Sequence, residues 1–169
     1  MFAKTLARTF SNSAAHSQGK ISIYWMGSGL FGGWYRDLLL DTPEWTSRFE
    51  IAGMIDESNA SDYQSKVLDN PNINSVYLCT PDIMHDSQAI QCMKTGKNIF
   101  SEKPVYNFQS VWDQALQSNK IMQVGFNRRF DSRFAQAKAL CAEKRPKKIR
   151  ICSWDPIDTK MDGLKNMDH

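Results

Sequence analysis

The chain is short of the features that mark several protein classes. It has four cysteines, Cys79, Cys92, Cys141 and Cys152, at intervals of 13, 49 and 11 residues with no C-x-x-C pair. This argues against a structural zinc cluster and does not indicate a disulfide scaffold; the four read as free thiols, mostly buried, in a reducing compartment. No apolar run approaches the ~18 residues of a membrane span, so no membrane partner is expected. Charge of one sign is scarce too, with 21 Lys and Arg against 18 Asp and Glu for a formal net charge of +3. The one dense basic run, Lys144-Arg145-Pro146-Lys147-Lys148, reads as a solvated loop; a nucleic-acid partner would call for a broader basic face. No glutamate or histidine arrangement has a metal-ligand context. At 169 residues the chain has room for one sizeable core and not for two full domains.

What is present is concentrated between Ile21 and Asp56. The apolar run Ile21 to Met26 leads into Gly27-Ser28-Gly29-Leu30-Phe31-Gly32, and Trp34 to Leu40 can continue as a helix. A second apolar run, Ile51 to Ile55, ends on Asp56, 24 residues after Gly32. Strand, G-x-G-x-x-G turn, helix, strand and acid make up the dinucleotide-binding signature. Gly27 permits a tight turn, Gly29 lets a pyrophosphate approach the backbone, and Gly32 lets helix and strand pack closely. The free amides of the helix's first turn face that pyrophosphate. Asp56 is placed to accept hydrogen bonds from ribose hydroxyls and to repel a 2′-phosphate, which favours NAD over NADP.

Along the rest of the chain short strands alternate with helices. Residues 1–19 are basic, acid-free and rich in Ser and Ala, with Phe2, Leu6 and Phe10 at helical spacing. They read either as a mitochondrial transit segment or as an extension of a cytoplasmic protein. Ser58 to Leu68 reads as a short helix capped by Ser58, and Ser75 to Cys79 as the third strand. A helix follows to about Thr95 and is ended by Gly96. Asn98 to Phe100 is the fourth strand; Phe108 to Ser118 is a helix with Val111, Trp112, Ala115 and Leu116 as its buried stripe. Ile121 to Val124 is the fifth strand. A helix from Asp131 or Ser132 to about Glu143 and a last strand, Ile149 to Trp154, complete the pattern. This alternation implies an α/β fold, a Rossmann-type doubly wound parallel sheet. Residues 20–145 are expected to form it, and residues 146–169 to begin a second α/β domain.

In such a sheet every strand's C-terminal end lies on one rim. The rim collects Gly27 to Gly32, Asp56, Thr80 to His85, Glu102-Lys103-Pro104 and Gly125 to Arg129. On these strand-end segments, together with Gly96 to Phe100, Val124 to Asp131 and Ser153-Trp154-Asp155-Pro156, the sequence resembles the Gfo/Idh/MocA oxidoreductases, and among them the inositol 2-dehydrogenase-like members. The resemblance covers roughly residues 20–156. It implies nicotinamide-dependent redox chemistry at a carbon bearing a hydroxyl, on a cyclic polyol, inositol or sugar derivative. It also implies a second domain that closes the substrate pocket and forms a homo-oligomer interface. The pair Tyr24-Trp25 departs from the family, where smaller aliphatic residues are usual, and Ser28 stands where alanine is common.

On this reading Lys103 is the catalytic candidate, its ammonium hydrogen-bonding the substrate hydroxyl. The cofactor-binding set is Gly27, Ser28, Gly29, Leu30, Phe31, Gly32, Asp56, Thr80, Pro81, His85, Glu102, Lys103, Asn127 and Arg128. Two members stay open between roles: Glu102 contacts the nicotinamide ribose or caps a backbone group, and His85 approaches the cofactor or hydrogen-bonds locally. Asp168-His169 lacks the context of the family's later catalytic motif. Two functions follow: the nucleotide-binding portion of an NAD-linked dehydrogenase, or a non-catalytic NAD-binding module. A stranded apolar edge at Ile149 to Trp154 would lead to self-association.

Overall fold

A computed structural model describes residues 20–150 and residue 152. The transit-like segment and the Asp168-His169 pair lie outside the described residues. Residues 20–131 form one compact unit, and Ser132 onward belongs to a second.

The first unit is a five-stranded parallel sheet in the order β2-β1-β3-β4-β5. The strands are β1 (Ile21–Met26), β2 (Phe49–Ile55), β3 (Ser75–Leu78), β4 (Asn98–Ser101) and β5 (Met122–Val124). Helices α1 (Leu30–Leu40) and the short α2 (Pro43–Thr46) join β1 to β2. Helix α3 (His85–Lys94) joins β3 to β4, and α4 (Phe108–Ser118) joins β4 to β5. This is the doubly wound α/β arrangement that the alternating pattern implies.

Strand periodicity divides the core into two layers. Tyr24, Met26, Val76, Leu78 and Ile99 point to one face, where Ala89, Cys92 and Met93 of α3 and Val111 and Ala115 of α4 complete an aliphatic core. Ile23, Trp25, Tyr77 and Phe100 point to the other face, under Tyr35 and Leu39 of α1 and Trp45 of α2. There Trp25 stacks on Tyr77 with centroids 3.9 Å apart, and Tyr77 on Phe100 at 4.5 Å. The unusual Tyr24-Trp25 pair is thereby accommodated on both faces. Between β1 and β2 the register slips by one residue, and Tyr24 comes opposite Gly53, where a Cβ would lie 2.7 Å from the Tyr24 ring.

Several local expectations are corrected. Ser58 is not a helix cap. Asp56 is, in a capping box in which its side chain accepts from the Ser58 amide and Asn59 Oδ1 accepts from the Asp56 amide. The segment then runs as a 3-10 turn (Glu57–Asp62), within which Asn59 departs from helical torsions at φ −129°, and a turn of π-helix (Tyr63–Leu68). Helix α4 buries only Val111 and Ala115. Trp112 and Leu116 sit one helical step further round and are exposed, and Phe108 packs against Trp112 on that outer side. Among the four thiols only Cys92 is buried; Cys79 and Cys141 are half-buried and Cys152 is exposed. Burial pushes the Cys92 thiol up to about 11.

In the second unit α5 (Ser132–Lys144) carries no buried residue. Ile149, Arg150 and Cys152 are not in a strand, and the rest of the expected Ile149–Trp154 strand lies outside the described residues. Ile149 is exposed, so the burial that selects an extended, paired backbone is missing there. Among the described residues no helix is long and apolar enough to cross a membrane.

Candidate functional site

Four backbone hydrogen bonds continue the sheet's ladder past the strand ends. Gly27 N donates to Ile55 O at 2.8 Å, Cys79 N to Met26 O at 2.7 Å, Glu102 N to Leu78 O at 2.9 Å and Gly125 N to Ser101 O at 2.8 Å. The glycine turn and the segments that follow β2, β3, β4 and β5 are thus fixed side by side along one rim, where open α/β sheets bind ligands.

The three glycines of the turn have different reasons for being glycine. Gly27 has φ +97°, and a Cβ on it would lie 2.3 Å from Cys79 O. A Cβ on Gly32 would lie 2.3 Å from Gly27 O, so α1 could not sit this close to the β1 end. Gly29 has ordinary torsions, φ −59° and ψ −178°, and a Cβ there meets nothing within 4 Å. The fold demands two of the three; the third guards open space. Gly29 is also the N-cap residue of α1 and supplies no side-chain acceptor to the first-turn amides. Leu30 and Phe31, which follow it, are exposed.

Asp56 stands across from this turn. Its Oδ1 accepts from the Ser58 amide at 2.9 Å and from Ser58 Oγ at 2.6 Å, and its Oδ2 accepts from Ser28 Oγ at 3.2 Å. These hydrogen bonds, those from Ser58 foremost, hold its carboxyl below the ordinary carboxylate range. The Ser28 hydroxyl therefore ties the glycine turn to the acid.

After β3, Thr80 donates from Oγ1 to Gln88 Oε1 at 2.6 Å, and Pro81 is exposed. His85, 1 % exposed, has Nε2 at 2.8 Å from Thr80 O and Nδ1 at 3.1 Å from Pro104 O. Of its two open roles the geometry displays local hydrogen bonding, with both ring nitrogens engaged by backbone. After β4, Lys103 is exposed while Glu102 folds back toward the aromatic face. A Cβ on Gly125 would lie 3.0 Å from Glu102 Oε1. Burial raises the Glu102 carboxyl, against the lowering influence of Lys103 and His85. Glu102 Oε1, Tyr77 Oη and Trp25 Nε1 are all buried without a hydrogen-bond partner. Tyr77 Oη lies beside Glu102 and Cys79 and its hydroxyl helps to lower the Glu102 carboxyl, but the contact falls short of a well-formed hydrogen bond. After β5, Asn127 and Arg128 lie in an exposed 3-10 turn, Asn127–Phe130.

Two functional neighbours went unread in the sequence, Asp86 and Gln88. Asp86 accepts from the Tyr106 and Asn107 amides at 3.2 and 2.6 Å. An acid in a helix's first turn is ordinary, so its spacing carries no signal of that distant use. Among the described residues no group of three or more His, Cys, Asp or Glu could hold a metal ion.

Residues 40–126, which are 87 of the chain's 169, match the Gfo/Idh/MocA family, described as an oxidoreductase family with an NAD-binding Rossmann fold. The chain belongs to this family. The Gfo/Idh/MocA match begins at the end of α1, so the glycine turn rests on its own geometry. The chain is 30% identical over 107 residues to the myo-inositol 2-dehydrogenase of Thermotoga maritima, covering 59% of this chain and 32% of that one. It is 36% identical over 76 residues to an inositol 2-dehydrogenase of Rhodococcus jostii, covering 42% and 21%. The chain thus spans about a third or less of the length of these curated relatives. Among solved structures it resembles an NAD-binding protein from Listeria innocua, at TM-score 0.60 and 26% identity over 75% of this chain and 40% of that one. It shares its fold with GenD2 from gentamicin A biosynthesis, solved in complex with NAD, at TM-score 0.61 and 20% identity over 78% and 42%. The compact unit is the Rossmann domain of this family.

Proposed function

We propose that this chain is the nucleotide-binding portion of an NAD-linked dehydrogenase whose substrate is a cyclic polyol, an inositol or a sugar derivative. The observation that carries the reading is Gly29, a glycine that neither torsion nor packing requires, at the one point of the turn where a side chain would fill open space. That space adjoins the uncapped amides of α1, which suits a pyrophosphate. Leu30 and Phe31 lend exposed apolar surface beside it. Asp56, ionised through its hydrogen bonds, accepts from ribose hydroxyls and repels a 2′-phosphate, which supports NAD over NADP. Thr80, Pro81, Glu102, Asn127 and Arg128 border the same rim. When bound, the dinucleotide supplies the hydride acceptor.

Lys103 contributes to the substrate side. Its exposed ammonium donates to the substrate hydroxyl and stabilises the charge that develops there as the proton leaves. The inositol dehydrogenases among the relatives support a polyol as substrate.

Titration of the folded chain with NAD and NADP tests the reading. Saturable NAD binding with weaker NADP binding is expected. Gly29→Val should weaken NAD binding at least about tenfold while leaving the melting temperature nearly unchanged, because its side chain occupies ligand space and not protein space. Lys103→Ala should leave NAD affinity within a few-fold. Absence of saturable binding by folded wild-type protein would overturn the proposal.

A further inference from the structure

The geometry points to His85 as a positioning residue that fastens the Lys103 segment to the end of β3. This rests on the reading of Lys103 as the group that meets substrate. Lys103 is exposed and follows β4 directly, so its placement depends on what holds the backbone on its C-terminal side. Upstream, Glu102 N is locked into the ladder on Leu78 O. Downstream, the hold comes from the first turn of α3. His85 reaches Pro104 O with Nδ1, and Asp86 takes the Tyr106 and Asn107 amides on its two carboxylate oxygens. Asn107 in turn caps α4, accepting from the Ser110 amide at 3.2 Å. Two consecutive residues of α3 therefore grip the segment from Pro104 to Asn107.

His85 does more than Asp86, because its second nitrogen faces Thr80 O at 2.8 Å. The ring is a rigid strut between two strand-end segments, one on the cofactor rim and one carrying Lys103. Its 1 % exposure keeps bulk water away from the ring. Both acceptors are carbonyl oxygens, so a ring with one N–H donates to one of them at a time, and the two contacts are hydrogen bonds together only when both ring nitrogens carry hydrogen. Thr80 is itself braced by Gln88, three residues along α3 from His85. With both ring nitrogens carrying hydrogen, a displacement of the Thr80 segment is passed to Pro104 through one ring, and a ligand that settles against Thr80 also sets the backbone beside Lys103.

Asparagine and glutamine separate the two contacts, since the asparagine amide overlays Nδ1 and the glutamine amide overlays Nε2. The test is amide hydrogen exchange of the ligand-free chain, wild type against His85→Ala, His85→Asn and His85→Gln. Loss of the Pro104 contact should speed exchange at Lys103 and Val105 by about five- to tenfold in the alanine and glutamine variants. The asparagine variant should return to within twofold of wild type, while Tyr106 and Asn107, held by Asp86, change little in any of them. Unchanged exchange in His85→Gln, or equal acceleration in His85→Gln and His85→Asn, would overturn the inference; a variant that only loosened the core would accelerate β1 and β3 alike. With NAD added to saturation, wild type should slow further at Lys103 and Val105, and His85→Gln should lose that added protection. If wild type fails to bind NAD, the proposed function falls, while the ligand-free comparison still decides the role of His85.

Discussion

The two faces of the sheet are made from alternate residues of the same strands, and they are different materials. The face under α3 and α4 is built largely of aliphatic side chains around Val76, Leu78, Ala89, Met93 and Ile99, all essentially buried. The face under α1 is a row of rings, Trp25, Tyr77 and Phe100, that runs across three strands toward Glu102. All three buried polar side-chain atoms without a partner, among the described residues, lie at this aromatic row or at Glu102 beside it. A close-packed aliphatic layer gains stability from each methylene it buries. The aromatic layer forgoes some of that gain by keeping polar groups desolvated beside the rim. The first layer holds the fold, and the second keeps unpartnered polar groups close to the strand-end rim.

Substitutions can break or sharpen this comparison. The largest effect is expected where α1 seats on the aromatic face. Gly32→Ala drives a Cβ to 2.3 Å from Gly27 O and 3.2 Å from Cys79 Cβ, and should cost about 4 kcal/mol or more in denaturant unfolding, or abolish folding. Next is Leu78→Ala in the aliphatic layer, which should cost about 3 kcal/mol through lost burial and the cavity left behind. Its neighbour on the opposite face should behave otherwise. Tyr77→Phe removes a buried hydroxyl that has no partner, so unfolding should show no loss, or a gain of up to about 1 kcal/mol. A loss above about 1 kcal/mol would mean that the hydroxyl is satisfied and the contrast between the faces is false.

Glu102 gives a pH-dependent version of the same contrast. Burial raises its carboxyl above the ordinary 4.5, so its share of stability is fully present below 4.5 and is lost as pH rises through the higher folded value. Glu102→Gln should therefore raise the melting temperature at pH 7 more than at pH 4. Asp56 has the opposite sign: its folded value is lowered, so its stabilisation is present above the ordinary 3.8 and is lost as pH falls through the lower folded value. Asp56→Asn should destabilise at pH 7 and approach wild type in acid. The smallest effect belongs to the outer side of α4, where Trp112→Gln should stay within about 0.5 kcal/mol because the ring is half exposed.

Legibility in the sequence followed the range of the interactions involved. The bounds of β1 and α4 were readable because local patterns set them: an apolar run stopped by Gly27, and a helix begun by the Asn107 cap and ended by Asn119 at φ 53°. The rim was readable because a parallel sheet must gather its strand ends. Side-chain destinations were less so. Trp112 and Leu116 fit an apolar stripe equally well whether or not a neighbour covers them, and only the packing of α4 decides. His85 and Thr80 look like free polar groups at a strand end until Pro104 and Gln88 arrive from 19 and 8 residues away. The motif assigns a role to each of the three glycines, yet only the space around each Cα sets Gly29 apart from the other two.

The buried thiol of Cys92 offers an internal stopwatch. It lies fully inside the aliphatic layer, is held near 11 by burial, and shares a 3.4 Å contact with Tyr63 Oη. A thiol in that state does not react with alkylating reagents until the layer around it parts. Cys152 is exposed and reacts without waiting. The ratio of the Cys92 to the Cys152 labelling rate, read site by site, therefore measures how often the α3 side of the sheet opens, with reagent access controlled by the chain's own exposed thiol and no probe introduced. Repeated with NAD present, the same ratio reports whether a ligand on the rim is felt by the layer beneath it.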